Sequence, residues 1–159
     1  MRAHDMKLYV VQHGDAVQKD INPDRPLSEM GQTQIRRLAK LLKASGIVPS
    51  RIFHSGKLRA KQTAELIGAA LVPRMATEAI AGLGPNDSSD TLISSLADGT
   101  EDALVVSHMP FVGRLVARLV GSAEGSEILA FQPGSMACLE RGDDGDWVIN
   151  WFLRPDIIA

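Results

Sequence analysis

Leu8-Tyr9-Val10-Val11-Gln12-His13-Gly14 is the stretch on which the fold turns. Its first four residues are continuously apolar and end in two β-branched valines, the pattern of a short strand covered on both faces. The run stops at a polar triplet. The stretch from Asp15 to Pro26 is polar and holds two prolines, so a loop leaves the strand at its C-terminal end. A strand buried on both sides needs helices above and below it, which makes the spacing of the next apolar residues decisive.

Ser28 has the chemistry of an N-cap, and Ile35, Leu38, Ala39, Leu41 and Leu42 recur behind it at helical spacing. Gly46 stands where a left-handed cap would close that helix. Arg51-Ile52-Phe53-His54 predicts a second short strand. It feeds a helix from about Lys57 to Leu71, with Leu58, Leu66, Ile67, Ala70 and Leu71 on one side. Gly82 to Ser89 reads as a loop, Thr91 to Ala97 as a weaker helix, and Ala103-Leu104-Val105-Val106 as another buried strand. Pro110 suits the first position of the next helix, where its missing N–H costs nothing. Val112, Leu115, Val116, Leu119 and Val120 supply that helix's stripe. The tail changes character: Ser135–Glu140 and Trp147–Leu153 alternate around Gly142-Asp143-Asp144-Gly145, a hairpin turn. The expected fold is α/β, a three-layer sandwich with a largely parallel central sheet and helices on both faces. An antiparallel C-terminal hairpin completes it, in a single domain over 1–159.

Composition narrows the function classes. Across 159 residues the chain is 45% hydrophobic and 23% charged, which reads as soluble and globular. A formal net charge of −2 provides no basic field for nucleic acid and no polybasic membrane patch. The single cysteine, Cys138, excludes an internal disulfide and a cysteine-rich zinc site, and its apolar neighbours make it a small core residue. Met1-Arg2-Ala3-His4-Asp5 precedes an apolar run too short for a signal-peptide core, and His4 is expected at a solvated terminus. No apolar stretch reaches the roughly 20 residues that span a bilayer. A cytoplasmic location follows as an expectation.

Three polar signals occupy equivalent places: Gln12-His13-Gly14 after the first strand, Ser55-Gly56 after the second, and Ser107-His108 after the Ala103–Val106 strand. Ligands of open α/β sheets bind at the carboxyl ends of the strands, so these groups and Arg59 should converge on one rim. Their chemistry suits phosphate. A neutral imidazole is a nucleophile toward phosphorus, and arginine offers a planar fork to phosphoryl oxygens. A second imidazole, when protonated, can donate to oxygens whose charge grows in the transition state. Gly14, lacking a Cβ, would let its N–H approach an anion. No metal site or cofactor is expected, because carboxylates and histidines at ligand spacing are missing.

These residues also resemble a known family. Gln12-His13-Gly14-Asp15-Ala16, then Arg25-Pro26-Leu27-Ser28 and Gly31, is similar to the opening of the histidine phosphatase superfamily, of phosphoglycerate mutase-like fold. Ser55-Gly56-Lys57-Leu58-Arg59-Ala60-Lys61-Gln62-Thr63-Ala64 resembles its second signature, and Ser107-His108-Met109-Pro110-Phe111-Val112-Gly113 its third. Short length, Asp15-Ala16 and Arg25-Pro26-Leu27 favour the SixA-like phosphohistidine phosphatase branch. The resemblance implies that His13 is the nucleophile, that Arg59 holds phosphoryl oxygens and that His108 stabilises the transferred group. Gln12, Gly14, Arg25 and Ser55 would contact substrate, and Asp87 in the Gly84-Pro85-Asn86-Asp87 loop is the candidate general acid.

Two departures stand out. Gly56 replaces the usual proline and is expected to change only loop stiffness. Gln12 replaces the usual arginine, and losing a charge-assisted hydrogen bond costs about 1.5–3 kcal/mol, roughly ten- to a hundredfold in rate. Arg25 is the nearest candidate to supply the missing charge. The expected function is a phosphatase with a phosphohistidine intermediate on His13, acting in signalling on a phosphorylated protein such as a histidine-phosphotransfer domain. Two rivals stay open: a small-molecule phosphomonoesterase acting on a phosphorylated metabolite, and a phosphoprotein-binding module without turnover, motivated by Gln12. His54 is expected to pack at its strand end, Arg36 and Arg37 on the solvated side of the first helix, and Trp147, Trp151 and Phe152 in sheet packing.

Overall fold

A computed structural model describes residues 5–123 and 125–159; His4 lies outside the described residues. Six strands form one sheet: β1 (Lys7–Gln12), β2 (Arg51–His54), β3 (Glu78–Ala79), β4 (Ala103–Ser107), β5 (Met136–Arg141) and β6 (Trp147–Leu153). Their order is β3-β2-β4-β1-β5-β6. The pairs β2/β3, β2/β4 and β1/β4 are parallel, whereas β1/β5 and β5/β6 are antiparallel. The expected C-terminal hairpin thus continues the parallel sheet across β1. The helices are α1 (Glu29–Ala44), α2 (Leu58–Leu71), α3 (Asp90–Ala97) and α4 (Phe111–Leu119), and none is long and apolar enough to cross a membrane.

Alternation along the three central strands builds two cores. Leu8, Val10, Ala103, Val105, Ala137 and Leu139 pack with Leu92 and Leu96 of α3 and with Phe111, Val112, Leu115 and Val116 of α4. Tyr9, Val11, Leu104, Val106, Met136 and Cys138 pack with Ile35, Leu38 and Leu42 of α1 and with Ala60, Ala64, Ile67 and Leu71 of α2. A strand covered on both faces has no polar side to show, which is why β1 and β4 read as unbroken apolar runs. Burial raises the Cys138 thiol to about 11, so it remains protonated and inert.

Several sequence expectations shift by small amounts. Leu41 is 39% exposed, so the α1 stripe is Ile35, Leu38, Ala39 and Leu42, with Gly31 buried at its start. In α2 the buried side is made of small residues, Ala60, Thr63, Ala64 and Gly68 beside Ile67 and Leu71, whereas Leu58 is exposed. Small side chains let one helix pack close against both the sheet and its neighbouring helix. Pro110 caps α4 from just outside, its carbonyl accepting the Arg114 N–H at 3.0 Å, and the helix begins at Phe111. The two-residue edge strand β3 was not anticipated, because a pair this short leaves no periodic signal.

The loop after β1 is tied down at its far end. Ser28 Oγ accepts the Gly31 N–H at 3.0 Å, capping α1, and donates to Asp15 Oδ2 at 2.6 Å. The Ser28 N–H donates to the Asp15 carbonyl at 2.9 Å. A Cβ on Gly31 would lie 2.1 Å from that carbonyl oxygen, so only glycine lets α1 start against the segment that follows His13. Gly31→Ala is expected to cost at least about 1–3 kcal/mol through enforced backbone displacement. Urea unfolding of the two proteins measures it, and an unchanged midpoint would refute the contact.

Candidate active site

Strand order explains why residues distant in sequence meet. Because β4 lies between β2 and β1, the residues following each strand, Ser55, His108 and His13, sit side by side at one end of the sheet. The His13 and His108 ring centroids are 4.9 Å apart, and Ser55 Oγ lies 2.6 Å from His108 Nε2. The His13 N–H extends the ladder to the Ser107 carbonyl at 3.0 Å. His13 and His108 are 8% and 2% exposed, so both are largely shielded from solvent.

Hydrogen bonding decides which ring nitrogen is free. His13 Nδ1 is 2.7 Å from the Gly14 carbonyl, which can only accept, so Nδ1 carries the proton and Nε2 keeps its lone pair. Burial, aided by the charges of Arg59 and Arg25, pulls His13 down to about 4. Burial, then its neighbour His13 and the charges of Arg59, Lys57 and Arg25, takes His108 to about 3. Both rings are therefore held in their neutral forms at pH 7, and burial disfavours the protonated His108 that could donate to a transferring oxygen. Its Nδ1 is buried without a partner among the described residues. A neutral Nδ1–H can still donate there if Ser55 donates its hydroxyl proton to Nε2.

Two cations flank the imidazoles. Arg59, in the first turn of α2, has a buried Nε without a partner among the described residues; burial and then Arg25 lower its affinity for its proton. Arg25 occupies left-handed backbone at φ 49° and donates from Nε to the Val17 carbonyl at 3.1 Å. Its charge disfavours a proton on His13, His108 and Arg59 alike. Guanidinium groups held near each other and near neutral imidazoles are the complement of an oxyanion.

The remaining expected residues fall less simply. Gln12 is buried, with Oε1 unpartnered among the described residues. The Gly14 N–H does not face outward: it donates to Thr63 Oγ1 at 3.0 Å. The missing Cβ there instead accommodates Ile35 and Leu27, whose side-chain carbons would lie 2.9 and 3.2 Å from it. Asp87 turns into its own loop, its carboxylate accepting the Gly84 N–H at 2.7 Å. Gly56 alters more than stiffness, since its φ of 90° is closed to proline, which holds about −65°.

Two residues beyond those expected support the site. Thr63 Oγ1 accepts from Gly14 and donates to the Arg59 carbonyl at 2.7 Å, joining the His13 loop to the Arg59 turn. Gln62 Oε1 accepts the Leu27 N–H at 2.7 Å, joining α2 to the loop that holds Arg25. Both stand in the second signature beside Arg59, which was the available signal.

Fold and site together define a class: α/β proteins that present an imidazole pair and half-buried guanidinium charge at the carboxyl ends of their strands. Residues 8–83 match the profile of the histidine phosphatase superfamily (branch 1), a span that includes His13, Arg25, Ser55 and Arg59 but ends before His108. The phosphohistidine phosphatase SixA of Escherichia coli strain K12 is 30% identical over 155 residues, covering 94% of each chain. A solved structure of the protein histidine phosphatase SixA complexed with tungstate superposes with a TM-score of 0.83 at 29% identity, covering 95% of this chain and 98% of that one. A phosphoserine phosphatase mutant from Entamoeba histolytica, solved with phosphoserine, shares the fold at a TM-score of 0.73 and 15% identity, covering 94% and 98%. The chain belongs to the histidine phosphatase superfamily.

Folded-state burial of the two rings has a measurable sign. Unfolded histidines take up protons near 6.5 while the folded rings do so near 4 and 3, so the unfolded state binds more protons across that window. Stability present above about pH 6.5 is therefore lost as pH falls. Imidazole nitrogen NMR should show His13 and His108 neutral throughout pH 5.5–8, with His13 protonated on Nδ1. Titration of either ring near 6.5 would contradict the buried geometry.

Proposed function

We propose that this chain is a phosphohistidine phosphatase in which His13 Nε2 attacks phosphorus. The observation that carries the reading is the Nδ1–H of His13 held on the Gly14 carbonyl, which leaves a neutral nitrogen lone pair near the half-buried cations Arg59 and Arg25. Attack forms the Nε2–P bond as the bond from phosphorus to the substrate nitrogen breaks. The departing imidazole keeps that electron pair and leaves neutral because its distal nitrogen carries a proton. Water then cleaves the Nε2–P bond, releasing inorganic phosphate and restoring His13. The chemistry uses only these side chains and water.

In this reading Arg59 and Arg25 neutralise the phosphoryl oxygens, and the His108 Nδ1–H donates to one of them as charge develops. Gln12 adds at most a neutral contact from the amide side chain. A leaving imidazole needs no strong acid, which agrees with an Asp87 carboxylate already engaged in its own loop. Likeness to the protein histidine phosphatase SixA supports a protein phosphohistidine as the substrate; in this reading the substrate is a phosphorylated cytoplasmic protein such as a histidine-phosphotransfer domain.

Base-quenched reaction with labelled phosphohistidine peptide should trap phosphate on His13, absent in His13→Ala. Phosphate-competitive binding with neither label nor phosphate release would mark a binding module instead. Rapid hydrolysis of sugar phosphates without action on phosphohistidine would mark a monoesterase.

Gln12→Arg restores a charge at the rim and is expected to raise kcat/KM about ten- to a hundredfold. Arg25→Ala should lower it by a similar factor, because Arg25 supplies charge that Gln12 lacks. Steady-state kinetics on the same peptide measure both, and an unaltered rate in either variant would remove that residue from the scheme.

A further inference from the structure

His54 is buried, only 3% exposed, and plays no part in the scheme above. It ends β2 on the face covered by α2, in register with Val106 of β4. Its carbonyl accepts the Ile80 N–H at 3.1 Å, fixing the residue between two strands. Its Nδ1 accepts the Gly56 N–H at 3.1 Å. A backbone N–H can only donate, so this Nδ1 is unprotonated and the ring's proton is on Nε2. The bond closes a short bracket over the one intervening residue. That residue is Ser55, whose Oγ contacts His108 Nε2 at 2.6 Å.

Gly56 needs such a bracket. At φ 90° it occupies backbone that other residues avoid, and glycine alone does not hold one conformation. Gly56 is also exposed, so water competes for its N–H, and the His54 ring supplies a fixed acceptor from the buried side. The consequence runs along a chain of contacts: His54 sets Gly56, the turn sets Ser55, and a Ser55 hydroxyl that donates to Nε2 holds the proton of His108 on Nδ1.

We propose that His54 is a positioning residue for the phosphoryl-transfer step, acting through Ser55 to fix the tautomer and orientation of His108. The inference rests on the functional reading above for its kinetic consequence, but the bond network is testable without it. Protonating His54 would set an N–H against an N–H and release the turn. Burial and the Lys61 charge oppose that protonation and the Glu65 carboxylate favours it; Lys61 and Glu65 both lie on α2 and face each other at 4.0 Å. From β3, the nearby Glu78 is paired with Arg51, and the β4 partner Val106 carries no charge.

Three variants test the bracket: His54→Leu keeps bulk without an acceptor, His54→Asn keeps a short side-chain acceptor near Nδ1, and Ser55→Ala removes the downstream contact. With phosphohistidine peptide, His54→Leu should lower kcat about tenfold with KM altered less than about twofold, and His54→Asn should recover most of the loss. In the Ser55→Ala background His54→Leu should add little further loss. Imidazole nitrogen NMR should show His54 protonated on Nε2 in the wild type, and His108 shifting away from its Nδ1–H form in His54→Leu but not in His54→Asn. Equal losses in the leucine and asparagine variants, or an unchanged His108 signature in His54→Leu, would overturn the proposal. If His54→Leu does not fold, a wild-type His54 protonated on Nδ1 at neutral pH overturns it alone. Failure to label His13 in the wild type would strike the functional reading, while the nitrogen spectra would still decide the bracket.

Discussion

A carbonyl oxygen cannot donate a hydrogen bond, and the rest of the site depends on that fact at Gly14. Its contact with His13 Nδ1 commits the ring's proton to one side and exposes the opposite nitrogen. Burial then keeps the ring neutral, so the lone pair survives at physiological pH. Each surrounding contact holds this arrangement still: Thr63 grips the Gly14 N–H, Ile35 and Leu27 fill the space where a Cβ would stand, and α1 presses on Asp15 through Gly31. A histidine at a flexible strand end would sample either tautomer and both protonation states.

Electrostatics favour an anion at the site. Arg59 and Arg25 act unfavourably on each other and on any proton added to His13 or His108. An arriving oxyanion relieves both tensions at once. The cations gain a partner, and the His108 N–H gains an acceptor. The neutral imidazoles and the cationic rim are therefore two sides of one arrangement, since the guanidinium charges that would hold phosphoryl oxygens under the proposed function also disfavour a proton on His13.

Much of this was legible from the residues alone. Unbroken apolar runs at Leu8–Val11 and Ala103–Val106 implied strands covered twice, and the two cores on opposite sheet faces are the result. The polar groups after three strands implied a shared rim, and His13, His108, Ser55 and Arg59 do meet there. What stayed hidden were directions. Periodicity cannot say that the Gly14 N–H turns inward to Thr63, that Asp87 folds onto Gly84, or that Arg25 adopts left-handed backbone. Nor does it report protonation, which depends on burial contributed by distant segments, and burial is the main cause that disfavours a proton on His108.

The sheet's β3 edge carries a consequence of its own. Two residues of β3 are all that terminate the parallel side, and a longer bare strand there would offer unpaired backbone groups to a second molecule. Glu78 on that edge pairs with Arg51 across the strand, so charge stands where a foreign strand would have to dock. A brief, ionic border of this kind discourages edge-to-edge association between molecules and so protects the solubility of a chain whose central strands are almost wholly apolar.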